Sequence, residues 1–139
     1  MPAIQKFQDF AEQVLRGVHN FGSHTFKAAL TNVAPAVTNT VLADITQIGA
    51  TGGYVSGGYS LDSVVLAETG GTAKVTIADE VITATGGSVG PVRYVVIYND
   101  SAAGKPLIGF IDRGDSITLL DGESLTIDFD AAAGVLTLA

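Results

Sequence analysis

The chain has no cysteine and no tryptophan among its 139 residues, and only 7 of them are Lys or Arg. Without cysteine there is no disulfide scaffold, no thiolate-held zinc and no thiol nucleophile, and nothing points to an oxidising compartment. Seven basic against 14 acidic residues, with no run of Lys or Arg, leave no electrostatic footprint for a phosphate backbone. Nucleic acid is therefore not an expected partner. The same shortage argues against docking on anionic lipid, and no stretch approaches the ~18 to 20 unbroken apolar residues of a membrane-spanning helix. The N-terminus lacks a basic stretch followed by an apolar core, so no secretion leader is expected.

Charge of either sign is scarce. Only 15% of residues are charged and the mean hydropathy is +0.39. Few strongly hydrated side chains remain to cover a small globule with a high surface-to-volume ratio, so part of the surface is expected to lie against neighbouring chains. The length suits one domain, since domains commonly run to ~100 to 200 residues. A chain of this size buries roughly two thirds of its unfolded surface and needs no metal or disulfide to fold.

What is present divides at Gly22. Residues 3–18 carry Ile4, Phe7, Phe10, Ala11, Val14, Leu15 and Val18 at spacings of three and four, which predicts an amphipathic helix. Pro2 suits its start and Gly17 its end. Its apolar stripe either packs on the chain's own sheet or docks on a neighbour. The organisation expected is a helix and connection over residues 1–22 and a single β-domain over 23–139.

Beyond Gly22, short β runs are divided by Gly, Asn, Asp and Pro at intervals of roughly ten residues, as in a sandwich or barrel. Strands are expected near 26–31, 41–48, 54–61, 73–77, 81–85, 92–98, 107–111, 117–120, 125–129 and 135–138. No second helical pattern separates them, which excludes βαβ units and predicts antiparallel pairing. The fold class expected is all-β: an antiparallel, jelly-roll-like β-sandwich of about 8–10 strands with one N-terminal amphipathic helix. Val92–Tyr98 carries Val, Tyr, Val, Val, Ile and Tyr with only Arg93 to interrupt, so both faces should be covered and the strand should be central. Leu125, Ile127 and Phe129 alternate with polar residues and should have one wet face. The apolar stretch 134–139 is expected to be tied into a sheet.

The Gly-rich stretch 49–59 fits a flexible loop, a double turn with bulges, or a surface approached closely by another backbone. Turn and bulge structure anchored by Tyr54 and Tyr59 is favoured. No period of 20 to 50 residues indicates a repeat array.

Catalytic and metal signals are weak. His19 and His24 are five residues apart, which is not a helical metal pair, and no HExxH occurs. Gly114-Asp115-Ser116-Ile117 resembles the nucleophile block of one esterase family, yet no histidine follows His24 to take the serine's proton. Phosphate-loop and nucleophile-elbow motifs are absent, and Gly104-Lys105-Pro106 reads as a turn. Half of the acidic residues lie between Asp100 and Asp130, including Asp112, Asp115, Asp121, Glu123, Asp128 and Asp130. They form no DxDxDG calcium loop and read as hairpin turns and a solvated face. No catalytic, metal-binding or cofactor-binding residue is expected.

Several blocks taken in order resemble a family of small virion proteins of tailed bacteriophages. They are Phe7-Gln8-Asp9-Phe10, Val18-His19-Asn20-Phe21, Phe26 to Asn32, Gly52-Gly53-Tyr54 with Gly57-Gly58, Arg93 to Asp100, Pro106 to Gly109 and Gly134-Val135-Leu136. Together they span nearly the whole chain. The resemblance implies a non-enzymatic β-sandwich similar to capsid cement or decoration proteins, present in many copies in the particle. Its expected partners are copies of itself and the major capsid protein or another virion protein. Alternatives are a neck, tail or fibre component, or a carbohydrate- or calcium-binding attachment module. The residues expected at contacts are Phe7, Phe10 and Val14 on the helix and Tyr54 and Tyr59 beside the Gly-rich loop.

Overall fold

A computed structural model describes residues 3–139. Among these, ten strands occur: β1 (Gln5–Lys6), β2 (Phe26–Thr31), β3 (Tyr59–Ser60), β4 (Val65–Thr69), β5 (Thr72–Thr76), β6 (Glu80–Thr83), β7 (Val89–Asn99), β8 (Leu107–Leu119), β9 (Ser124–Ile127) and β10 (Leu136–Leu138). One short helix, α1 (Phe10–Leu15), follows β1. The protein is all-β and its strand pairs are antiparallel.

A five-stranded sheet in the order β1-β8-β7-β2-β3 dominates the molecule, beside a three-stranded sheet β10-β5-β4 and a ribbon β6-β9. Strand β7 lies at the middle of the large sheet, as its unbroken apolar run requires. Successive side chains of a strand point to opposite faces. Phe26, Ala28 and Leu30 of β2 and Val95 and Ile97 of β7 enter one core with Val75, Ile82 and Ile127 of the smaller sheets. Ala29, Val96 and Tyr98 point the other way, into a second core closed by Phe7, Ile45, Leu107 and Phe110. The large sheet is thus covered on both faces.

The expected helix over 3–18 is corrected to six residues. Residues 5 and 6 pair instead with Phe110 and Gly109 on the free edge of β8, and Phe7 N–H donates to Ile108 O at 3.1 Å. Gly109 makes this possible, because a Cβ there would sit 2.7 Å from Ile4 Cγ1. Edge pairing satisfies backbone groups that a helix would have had to satisfy internally, and the three-four spacing does not distinguish the two outcomes. Helix α1 ends in a Schellman motif, with Val18 N–H donating to Gln13 O and Gly17 N–H to Val14 O.

Three strand expectations also change. Over 41–48 only Val41 bridges to Pro106, because the Asp44 carboxylate accepts the N–H groups of Thr40 (3.0 Å) and Val41 (3.3 Å) and folds 42–44 into a single 3-10 turn. Over 54–61 only Tyr59–Ser60 is a strand, since Gly57 and Gly58 take φ of +103° and +81°, which no ladder accommodates. The runs 107–111 and 117–120 are one strand, β8, whose partners jump from Asp112 to Ile117 while β7 moves only from Tyr94 to Val92. The polar residues 113–116 bulge out of the ladder between them. Strand β4 was not expected from the sequence. It is joined to β5 by the two-residue turn Gly70-Gly71, both at positive φ, the conformation a tight hairpin needs.

Candidate docking face

A groove of about 600 Å³ lies between helix α1 and the β10-β5-β4 sheet. Its floor is built by the main core: Phe10, Phe21, Val75 and Leu136. The aromatic part is cross-braced, with Phe21 stacked on Phe26 at 4.7 Å and edge-on to Phe10 at 6.3 Å. Leu15 rises on the helix side, 86% exposed, and Leu66 and Leu138 rise on the sheet side, 48% and 65% exposed. Among the described residues, Lys6 is the only Lys, Arg, Asp or Glu that lines the groove.

Register explains the apolar sheet side. Leu136 of β10 pairs with Val75 of β5, which pairs with Leu66 of β4, so three aliphatic side chains form one row across the sheet. The row starts buried at Leu136 and Val75 and emerges at Leu66, on the last strand of the sheet. All five residues of β4 are exposed. An edge strand of this kind offers a row of backbone donors and acceptors to any further strand. Edges are commonly protected by lysine, proline or an outward-aimed charge. Strand β4 has none of the first two, and its one carboxylate, Glu68, turns back to accept the N–H of Gly71 at 2.7 Å.

The wall at the end of the groove is the segment 17–21, which includes His19. His19 and His24, separated in sequence, meet at the buried side-chain amide of Asn99, with N···N distances of 3.1 and 2.9 Å. Burial pushes the His19 imidazole below its ordinary value, the neighbouring His24 adds to this, and Asp9 opposes both.

The chain matches no protein-family model, no curated protein and no solved structure. The docking face therefore stands on its own geometry.

The five residues expected at contacts separate. Phe7 is buried in the second core, tilted against Phe110 at 5.3 Å. Phe10 is buried in the groove floor and Val14 is half-buried at its lip. Tyr54 is buried, its hydroxyl accepting from Leu30 N–H at 3.1 Å and donating to Gln47 Oε1 at 2.6 Å. Tyr59 is half-buried and tilted against Tyr54 at 5.7 Å. Phe7, Phe10 and Tyr54 are interior residues of this chain, and the Gly-rich loop is tied to it by Tyr98 Oη, which donates to Gly57 O at 2.5 Å. The surface residues of the face, Leu15, Leu66 and Leu138, were not singled out from the sequence. A signal existed for Leu66: a Gly-Gly pair flanked by two five-residue β runs is a hairpin pattern.

Ser116 donates to Asn32 Oδ1 at 2.6 Å. Among the described residues no three His, Asp or Glu side chains gather as metal ligands do, and no helix is long and apolar enough to cross a membrane.

Proposed function

We propose that the chain is a structural protein of a tailed-bacteriophage particle, a head decoration or cement protein. It sits on the outer face of the capsid shell as a homo-oligomer and acts through protein contacts without chemistry of its own. The observation that carries this reading is the open edge of β4, whose aliphatic row runs into the groove beside α1. The occupant is a strand of a neighbouring copy. Added antiparallel to β4 with Leu66 on the two-fold axis, a second β4 sets Leu66 opposite Leu66, Val65 opposite Ala67 and Glu68 opposite Val64. The central pairs are then apolar on apolar, and no two carboxylates are opposed. Buried apolar area repeated at many sites provides the stabilisation.

Three further features support the reading: the ordered blocks that resemble small phage virion proteins, the scarcity of charge, and exposed aliphatic side chains on a chain this small. The jelly-roll-like sandwich belongs to the same proposal, with the five-stranded sheet as one layer and the two smaller sheets as the other, sharing one core. The test is copy number and position in purified particles, by gel densitometry and an averaged electron-microscopy map. Density on the shell at a copy number that scales with shell area is the expected result. A single ring at a vertex or along the tail would overturn it.

A further inference from the structure

The hydrogen bonding around Asn99 fixes the protonation of both histidines. Asn99 is fully buried at the end of β7. Its Oδ1 accepts the backbone N–H groups of Ser101 at 3.0 Å and Ala102 at 3.2 Å. Exchanging the amide's oxygen and nitrogen would set an NH2 group against those two N–H groups, so the orientation is determined. Asn99 Nδ2 is then a donor only, with one hydrogen for His19 Nδ1 at 3.1 Å and one for His24 Nδ1 at 2.9 Å. His24 Nδ1 also meets the N–H of Asn20 at 3.3 Å, a second donor to the same atom. Both Nδ1 atoms must be bare, and each neutral ring carries its hydrogen on Nε2. For His19 that hydrogen is buried with no acceptor among the described residues.

We propose that Asn99, His19 and His24 form a proton-operated latch on the groove. A proton added to either ring at Nδ1 removes an acceptor from Asn99, turns N–H against N–H, and frees the segment Gly17–His24. That segment walls the groove and carries Phe21, so its release opens the groove floor at Phe10 and separates Phe21 from the Phe26 ring beneath it.

The charges around the latch come from every neighbouring element. Asp9, just ahead of α1, favours a proton on His19, and His24 and burial disfavour it. Lys6 of β1 lines the same groove. Asp100 follows Asn99 and is ion-paired with Lys105, with Lys27 of β2 nearby. Because the folded chain holds the His19 imidazole below its ordinary 6.5, it binds fewer protons than the unfolded chain. The latch's contribution to stability is therefore present above pH 6.5 and is lost as the pH falls from there through the folded value.

The latch rests on hydrogen bonding alone, whereas its effect on assembly rests on the proposed docking role of the groove. The sequence has two histidines, so the imidazole signals are few and readily assigned. In the full chain labelled with 15N, imidazole correlation spectra at neutral pH are expected to show both rings as the Nε2–H tautomer. On acidification, protonation of the His19 ring, change of the Asn99 side-chain amide signals and loss of the Phe21–Phe26 contact should follow one curve. An Nδ1–H tautomer at neutral pH, or titration that leaves Asn99 and the Phe21–Phe26 contact unmoved, overturns the latch. Asn99→Asp gives a sign test, because a carboxylate accepts from Nδ1–H and favours the charged rings. Lowering the pH should reduce Tm of the wild type and raise or hold Tm of the variant, and the same fall in both overturns the latch. If the variant does not fold, the wild-type spectra decide alone. Sedimentation at the two pH values separates the two readings: a latch that opens without changing self-association stands, and the docking role of the groove falls.

Discussion

The large sheet and the β10-β5-β4 sheet are both antiparallel and rich in aliphatic side chains, yet they stand in opposite conditions. The first has its middle strand between two cores and its β8 edge sealed by β1. The second has one face turned to the core, one outer strand fully exposed, and aliphatic side chains on the rim of a groove. Where both faces are covered, stability resides within one chain. Where an edge and a groove are left open, the same kind of residue is left on the surface, where the proposed contact between copies would use it.

Substitutions that remove apolar atoms should break this symmetry of composition most clearly. Ile97, at 1% exposure in β7, should cost about 2 to 5 kcal/mol when changed to Ala, because the cavity left behind cannot collapse between two packed faces. Leu138→Ala on the groove rim should stay within about 0.5 kcal/mol. Urea unfolding of both variants checks this, and equal losses would erase the contrast. A smaller loss tests how the covered region closes its polar groups. The buried Thr31 hydroxyl donates to Thr46 O and accepts the N–H of Val33 at 3.0 Å. Thr31→Val keeps the shape and orphans both, for an expected cost of about 1 to 3 kcal/mol in the same unfolding experiment. The smallest effect on folding belongs to Leu66→Lys, which places a protective lysine on the open edge. The monomer should melt like the wild type while self-association, read by sedimentation equilibrium, weakens; unchanged association would remove β4 from the contact.

The covered region was the legible one. Val92 to Tyr98 contains hardly a polar interruption, and a strand of that kind is stable only between two cores. Leu125, Ile127 and Phe129 gave the alternation of β9 with its one wet face, and each is buried as that alternation requires. The N-terminal segment was misread because Ile4, Phe7 and Phe10 satisfy a helical period while their placement depends on Gly109, more than a hundred residues away in sequence. Residues 41–48 were misread because the Asp44 carboxylate, a local backbone acceptor, outweighs the β-propensity of Val41 and Ile45. The candidate docking face was illegible for a related reason. Leu15, Leu66 and Leu138 lie on three elements distant in sequence; the register of β10, β5 and β4 brings the last two together, and the placement of α1 adds Leu15. The histidine pair shows the same limit, since the side chain that joins His19 to His24 arrives from Asn99.

The absence of tryptophan gives the tyrosines a further use. The chain has four tyrosines, and their emission and near-ultraviolet absorbance are unobscured. Burial raises the phenols of Tyr54 and Tyr59, and that of Tyr98 is pushed up to about 12. Tyr54 and Tyr98 are the two whose hydroxyls fasten the Gly-rich loop to β2 and β7. An alkaline absorbance titration thus reads, with no label attached, whether that loop is still fastened, in the free protein and in whatever assembly it forms.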